Sequence, residues 1–282
     1  MLLRVLRDIF TRTPHAGMPR DEAGFDQLMQ NLVRQGRKAE TFPIYDAAIA
    51  AGIRPCDREF DRAYRRAAEA TGTPPTPLSR RSRFYELYRL LGEVLPLEGD
   101  IAECGCFRGL SSHVMLSRLK QAAPDFTGRN YHIFDSFEGL SEPSAEDMAT
   151  GDGAAAQTIR AVCRPGWFAA SIETVRRGLA EFPDVSYHPG WIPASLEGLP
   201  ERRYRFVHLD LDLHDPTLGG LEYFYPRLVP GAILVCDDYD WPGERKAIET
   251  FCARTGISFA LTPHGQAVLR RSAAPDSRAA SP

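Results

Sequence analysis

Residues 99–110 read GDIAECGCFRGL, a short apolar strand that runs into a turn with two glycines and then into a helix. Gly105 and Gly109 allow the backbone to turn tightly and to approach a ligand closely. The helix predicted over residues 111–121 offers free backbone N–H groups to an anionic group at its first turn. A strand, a glycine turn and a helix predict the first unit of an α/β domain, although such turns also occur without a ligand.

The alternation of strand and helix continues along the chain and predicts the fold class, α/β with a doubly wound sheet. Helices are expected over residues 171–182, 216–228 and 243–255, and such alternation favours parallel strands joined by right-handed crossovers. Residues 258–261 and 266–269 lie a short turn apart, so one of this closing pair is antiparallel. The preceding strands are predicted over residues 101–105, 131–135, 185–188, 206–210 and 233–237.

The region before this domain has a different pattern. Helices are predicted over residues 25–37, 45–51 and 57–70, with Asp57 as an N-cap, and a further helix over residues 80–91. The proline-rich residues 71–77 form a stiff linker. We expect a helical extension over residues 1–80 that forms a lid or an oligomer contact, the α/β domain over residues 81–271, and a disordered tail over residues 272–282.

Composition excludes several classes of protein. Of 282 residues, 43% are hydrophobic, which is enough for a sizeable core, and the net charge of -3 gives no indication of nucleic acid or of a membrane surface as a partner. The six cysteines lack the paired spacing of a zinc site and are expected to be free thiols. We therefore expect a cytoplasmic protein.

Carboxylates gather at the ends of two predicted strands, with Asp210 and Asp212 after one and Asp237 and Asp238 after the next. Ionised carboxylates beside a core are costly unless something pairs with them, and the carboxyl ends of parallel strands are where ligands bind. A hard divalent cation is the simplest partner, and oxygen ligands favour magnesium, manganese or calcium. The same carboxylates could instead cap helices, and Asp215 is the predicted N-cap before Pro216.

A further carboxylate, Asp135, ends the second strand and is placed to accept both hydrogen bonds of a ribose diol. The turn after the first strand lacks the three glycines of a dinucleotide site, and Phe107 stands where a pyrophosphate needs open backbone. A positively charged nucleoside cofactor without phosphates suits a site that also contains Glu103. S-adenosylmethionine fits that description.

Four segments in this order resemble the macrocin O-methyltransferase family, which contains metal-dependent, S-adenosylmethionine-dependent enzymes that methylate sugar hydroxyls. The resemblance extends over about residues 97–259 and implies a seven-stranded Rossmann-like methyltransferase sheet whose last strand is antiparallel. The segments are ECGCFRGLSS (103–112), DSFEGL (135–140), DLDL (210–213) and LVPGAILVCDDY (228–239).

The resemblance also implies roles for individual residues. Asp212 matches the general base. His214, where the family commonly has tyrosine, is a second candidate for a catalytic role, and Leu211 and Leu110 stand where the family has glycine. Glu103, Gly105 and Gly109 would line the methionine part of the cofactor, Asp135 would hold the ribose, Phe137 and Trp191 would border the adenine, and Asp210, Asp237 and Asp238 would bind the metal, expected to be Mg²⁺.

The sequence therefore predicts an S-adenosylmethionine-dependent O-methyltransferase that acts on a sugar hydroxyl of a glycosylated natural product or glycan. The partner is a small-molecule or glycan acceptor, with homo-oligomerisation left open. Residues 141–164 form a candidate lid over the acceptor. The main alternative is a metal-dependent nucleotide-sugar glycosyltransferase that uses Asp210 and Asp212 as a D-x-D motif. An NAD-dependent enzyme and an inactive scaffold fit the glycine turn and the acidic set less well.

Overall fold

The computed structural model describes residues 22–37, 44, 58–74, 78–148 and 160–273. The helix predicted over residues 45–51, the N-cap Asp57 and nearly all of the predicted tail lie outside the described residues. So do residues 149–159 of the candidate lid.

Within these ranges, three helices precede a seven-stranded sheet. They are α1 (Glu22–Arg34), α2 (Arg58–Thr71) and α3 (Leu78–Glu93). The strands are β1 (Asp100–Cys104), β2 (Tyr131–Asp135), β3 (Ser186–Pro189), β4 (Tyr204–Leu209), β5 (Leu228–Cys236), β6 (Phe259–Leu261) and β7 (Ala267–Arg270). The helices between them are α4 (Leu110–Ala122), α5 (Ile172–Gly178), α6 (His214–Phe224) and α7 (Pro242–Thr255), with short 3-10 turns at Ala145–Asp147, Ala194–Leu196 and Tyr225–Arg227.

The strand order is β3-β2-β1-β4-β5-β7-β6. The first five strands are parallel, and β7 runs antiparallel to both β5 and β6. The prediction of a doubly wound, seven-stranded Rossmann-like sheet is confirmed. Because the direction of winding reverses between β1 and β4, the carboxyl ends of these two strands mark the switch point where such sheets bind ligands.

Helices cover both faces of the sheet, since alternate strand residues point to opposite sides. Ala102 and Leu209 belong to one core cluster, whereas Ile101 and Phe206 belong to the other. Leu87 of α3 packs in the second cluster. The N-terminal helices are therefore part of the packed structure, and α3 spans the expected domain boundary between residues 80 and 81.

Two predicted helices end earlier than expected. The helix predicted over residues 216–228 gives way to a 3-10 turn at Tyr225, because Pro226 cannot continue the backbone ladder. The helix predicted over residues 171–182 ends at Gly178, where the backbone packs closely against Thr71 of α2. None of the helices in the described part of the chain is long and apolar enough to cross a membrane.

Candidate active site

A cavity of about 460 Å³ opens at the carboxyl ends of the central strands. Its wall contains Gly105 after β1, Asp135 at the end of β2, Trp191 after β3 and Asp210 after β4. It is therefore built at the switch point of the sheet.

The turns after β1 and β4 are in direct contact. The Asp210 N–H donates to the Cys104 carbonyl at 2.8 Å, and the Gly105 N–H donates to the Phe134 carbonyl at 2.9 Å. Gly105 has a φ of 82°, and a Cβ there would overlap the carbonyl oxygen of Asp210. Only glycine fits at this contact, which brings the glycine turn against the acidic turn.

Asp135 holds the glycine turn in place. Its Oδ2 accepts the N–H groups of Cys106 at 2.7 Å and Phe107 at 3.3 Å, and its Oδ1 accepts the N–H of Phe137 at 2.7 Å. A carboxylate offers about four acceptor sites, and Asp135 is only partly buried in the cavity wall. Acceptor capacity therefore remains for hydroxyl groups of a ligand.

Three large aromatic side chains in the cavity wall are unusually exposed, namely Phe107 at 45%, Phe168 at 41% and Trp191 at 43%. The Trp191 indole N–H donates to the Gly139 carbonyl at 3.0 Å, and the rings of Phe107 and Phe168 meet edge to face at 5.8 Å. Exposed aromatic surface of this kind marks a binding site. Trp191 was predicted as a site residue, whereas Phe168 was not.

Three residues expected to contact the cofactor do not line the cavity. Glu103 is fully buried, and its Oε2 accepts the hydroxyls of Ser112 and Tyr131. Gly109 is the N-cap of α4, and Phe137 packs against the core. The structure thus places Glu103 behind the site, where the hydroxyls of Ser112 and Tyr131 hold its side chain.

The carboxylates after β4 and β5 form one cluster. Ligand atoms of Asp210, Asp212 and Asp238 lie within 4.8 Å of one another, and those of His208, Asp210 and Asp237 do the same. Asp212 has a φ of 60°, and the next residue closes a tight turn through its N–H to the Leu211 carbonyl at 2.6 Å. The structure therefore brings together all four acidic residues expected from the sequence.

Buried polar groups hold the carboxylate of Asp237 in place. Asp237 Oδ1 accepts the Gln266 amide at 2.7 Å and lies 3.2 Å from His208 Nε2. The other ring nitrogen of His208 lies 3.3 Å from Glu103 Oε1. His208 is buried and bridges the two carboxylates.

Glu244 of α7 adds a further buried carboxyl group, which accepts the Asp238 N–H at 2.9 Å. Burial, and then the charge of Asp238, raise the pKa of Glu244 well above its usual range. Burial also raises the pKa of Asp210, Arg83 opposes this rise, and Asp238 adds to it. The cluster is therefore short of positive charge.

Arg83 of α3 supplies one positive charge. Its Nη2 forms an ion pair with Asp237 and lies 3.3 Å from Asp210 Oδ2 and 3.8 Å from Asp238 Oδ2. Burial lowers the pKa of Arg83, but the nearby carboxylates, led by Asp238, outweigh burial and raise it. Sequence reasoning missed Arg83, which lies 127 positions before Asp210 and carries no local signal.

The structure places His214 outside the cavity wall, which does not support its predicted catalytic role. Its Nδ1 lies 2.7 Å from Asp215 Oδ1, and its backbone N–H donates to Asp147 Oδ1 at 2.6 Å. The prediction that Asp215 is the N-cap of α6 is wrong, because the helix begins at His214 and the N-cap, Leu213, makes no side-chain hydrogen bond. Asp147, a residue that sequence reasoning missed, supplies the acceptor instead.

The family model described as Macrocin-O-methyltransferase (TylF) matches residues 6–265. An 8-demethyl-8-(2,3-dimethoxy-alpha-L-rhamnosyl)-tetracenomycin-C 4'-O-methyltransferase from Streptomyces olivaceus is 33% identical over 262 residues, which cover 91% of this chain and 94% of that protein. A mycinamicin III 3''-O-methyltransferase from Micromonospora griseorubida is 28% identical, covering 79% of this chain and 87% of that protein.

Solved structures share the fold. The O-methyltransferase NovP superposes with a TM-score of 0.56 at 20% identity and covers 89% of this chain and 100% of its own. The calicheamicin methyltransferase CalS11 superposes with a TM-score of 0.58 at 20% identity and covers 77% of this chain and 94% of its own. At such identities the likeness concerns the architecture alone.

Proposed function

This chain belongs to the macrocin O-methyltransferase family, and we propose that it transfers a methyl group from S-adenosylmethionine to a sugar hydroxyl of a glycosylated natural product or glycan. The relative from Streptomyces olivaceus is named for a rhamnosyl-bearing compound, which supports a glycosylated acceptor. The alternative glycosyltransferase is not favoured, because the curated relatives are named as O-methyltransferases.

The observation that carries this proposal is the direct contact between the glycine turn and the acidic turn in one cavity. Asp135 keeps acceptor capacity for the hydroxyls of a ribose, and Trp191 and Phe107 offer apolar faces to a flat base. S-adenosylmethionine would supply an electrophilic methyl group on a positively charged sulfur. Holding donor and acceptor side by side turns the transfer into an effectively unimolecular step.

The acidic cluster fits a hard divalent cation, since carboxylate oxygens of Asp210, Asp212 and Asp238 lie within 4.8 Å of one another and one of Asp237 lies equally close to Asp210. Asp210, Asp237 and Asp238 would hold the ion. A bound Mg²⁺ would orient the acceptor hydroxyl and lower its pKa. Arg83 contacts the same three residues.

Asp212 is the proposed general base. An alkyl hydroxyl is hardly ionised near neutral pH, so a positioned acceptor for its proton is needed. Asp212 lines the cavity and lies within 4.8 Å of Asp210 and Asp238, so its carboxylate is close to the place where the hydroxyl would be held. His214, which is outside the wall, is not included in the proposed mechanism.

The helical region over residues 1–80 is proposed to act as a lid or as an oligomer contact, and residues 81–271 as the methyltransferase domain. Thr73, which follows α2, and Arg83 and Phe84 of α3 line the cavity. Tyr64 of α2 packs with Val114 of α4, which fixes α2 to the domain.

A methyl-transfer assay tests the proposal. The purified protein is incubated with S-adenosylmethionine and a panel of glycosylated acceptors, and products are detected by mass spectrometry. Methylated sugar products are expected with Mg²⁺ present and are expected to disappear after thorough chelation. Full activity after chelation contradicts the metal site, whereas transfer of a sugar from a nucleotide-sugar donor contradicts the methyltransferase assignment.

A further inference from the structure

A single nitrogen of Arg83 faces three carboxylates that come from two different strand ends. Nη2 lies 3.3 Å from Asp210 Oδ2 and 3.8 Å from Asp238 Oδ2, and it forms an ion pair with Asp237 Oδ2. This convergence of three oxygens on one positively charged centre is what a coordinated cation requires. We propose that Arg83 is a built-in counter-ion of the acidic cluster and that a divalent cation displaces it on binding. The inference rests on the cation site of the proposed function.

The Arg83 guanidinium and a bound divalent cation need the same oxygen of Asp237. Oδ1 of this side chain is already engaged by the Gln266 amide at 2.7 Å and by His208 at 3.2 Å. The other oxygen, Oδ2, faces Arg83. Asp237 has no exposed side-chain surface, so solvent offers no substitute partner. A cation that uses Asp237 must therefore use the oxygen that Arg83 occupies.

Distance and charge prevent a divalent cation and the Arg83 guanidinium from occupying this position together. A cation lies roughly 2.0 to 2.6 Å from its oxygen ligands, which would put it in contact with the guanidinium nitrogen. Two positive charges at that separation repel each other strongly in a partly buried site.

Arg83 has a route out of the cluster. Its side chain is 34% exposed, whereas that of Asp237 is fully buried, so the guanidinium lies on the open side. The ring of Phe84, which also lines the cavity, lies 5.6 Å from the guanidinium carbon and offers a second favourable surface. Without a bound ion, Arg83 offsets the cost of unpaired buried carboxylates.

Mn²⁺ binding to the full chain, measured by calorimetry without donor or acceptor, tests the inference. Arg83→Gln is expected to bind Mn²⁺ at least about tenfold more tightly than the wild type, because no counter-ion has to leave. Arg83→Lys retains the charge and is expected to bind Mn²⁺ more weakly than Arg83→Gln. The matched control is Arg81→Gln on the same helix, whose residue pairs with Asp61 and lies over the Tyr64 ring. It is expected to leave Mn²⁺ affinity unchanged.

Thermal unfolding adds a second readout. Arg83→Gln is expected to unfold at a lower temperature than the wild type without a cation and to regain that difference in saturating Mn²⁺. Equal or weaker Mn²⁺ binding by Arg83→Gln overturns the inference, as does a wild type that binds no Mn²⁺ at millimolar concentration.

The wild-type protein offers a test that does not depend on any variant folding. Phenylglyoxal modification of Arg83, followed by peptide mass spectrometry, is expected to accelerate when Mn²⁺ saturates the protein. An unchanged rate contradicts displacement. None of these measurements needs methyl transfer. If Mn²⁺ displaces Arg83 but no methyl transfer is detected, the proposed function alone is rejected. If methyl transfer occurs but Mn²⁺ does not displace Arg83, this inference alone is rejected.

Discussion

The carboxylate of Asp147 accepts the backbone N–H of His214 at 2.6 Å, which joins the loop after β2 to the first turn of α6. The N–H groups of a first helical turn lack partners within the helix, so an outside acceptor stabilises them. Asp147 is itself held by the N–H of Ser144 at 2.6 Å and by its hydroxyl at 2.9 Å. Because His214 comes two residues after Asp212, this contact fixes the turn that carries the proposed base.

Removal of the Asp147 carboxylate is expected to lower stability and turnover together. Asp147→Ala should cost about 1 to 2 kcal/mol of unfolding free energy, as the loss of a helix cap does. Turnover should fall while affinity for S-adenosylhomocysteine stays close to that of the wild type. Glu146→Gln is the control, since Glu146 is exposed and pairs with Lys246 at the surface. Unchanged turnover in Asp147→Ala would show that the contact does not position Asp212.

Asp212→Asn removes the carboxylate of the proposed base and leaves the backbone of the turn unchanged. Asparagine adopts positive φ more readily than most residues, so the turn at φ 60° is expected to persist. Turnover should fall by about 10² or more, the usual contribution of a positioned base, with donor binding retained in calorimetry. Asp215→Asn, in the same segment but exposed, serves as the control. A near wild-type rate in Asp212→Asn would remove the base assignment.

Gly105→Ala tests the contact between the glycine turn and the acidic turn. The control is Gly256→Ala, because Gly256 has a φ of 72° but an added Cβ would meet nothing within 4 Å. The control should lose about 1 to 2 kcal/mol, the cost of a left-handed conformation for an L-residue. Gly105→Ala should lose clearly more in urea unfolding, since the Cβ also overlaps the Asp210 carbonyl. Equal losses would mean that the turn relaxes freely.

His188 predicts a pH dependence of stability. Burial, and then the nearby His132 and Arg202, lower the pKa of His188 from 6.5 to about 4. The pKa of His188 is about 4 in the folded state and 6.5 in the unfolded state. Below both values His188 is protonated in both states, and above both it is neutral in both states. Between them only the unfolded state binds the proton, so stability is lost as the pH falls from 6.5 to about 4.

At about 1.4 kcal/mol per pKa unit, the upper limit of this effect is roughly 3.5 kcal/mol, and solvent screening at this half-buried ring lowers it. Urea unfolding across that range should show a steeper slope for the wild type than for His188→Gln, which does not titrate. Parallel slopes would contradict the assignment. The His188 ring stacks on Phe134 at 4.3 Å, so the comparison concerns the slope and not the absolute stability.

The strands and the acidic cluster were predictable because their signals are local. Apolar runs mark the strands, and Asp210 and Asp237 follow directly at strand ends that parallel pairing brings together. Arg83 and Asp147 were not predictable, since each reaches the site through tertiary packing from a distant segment. Glu103 shows the limit of reasoning from sequence proximity. It is two residues from Gly105, yet its side chain is fully buried against Ser112 and Tyr131 and does not line the cavity.

The hydrogen bond from the Asp210 N–H to the Cys104 carbonyl ties the turn after β4 to the turn after β1. Parts of the cavity wall outside these two turns can therefore change more freely. The groups proposed to react come directly after β4 and β5, so a backbone change in the turn after β1 also disturbs them. Another part of the wall, Gly139, Leu140 and Ser141, belongs to the segment after β2. Exchange of this segment between relatives would therefore reshape the cavity while the proposed reacting groups keep their backbone.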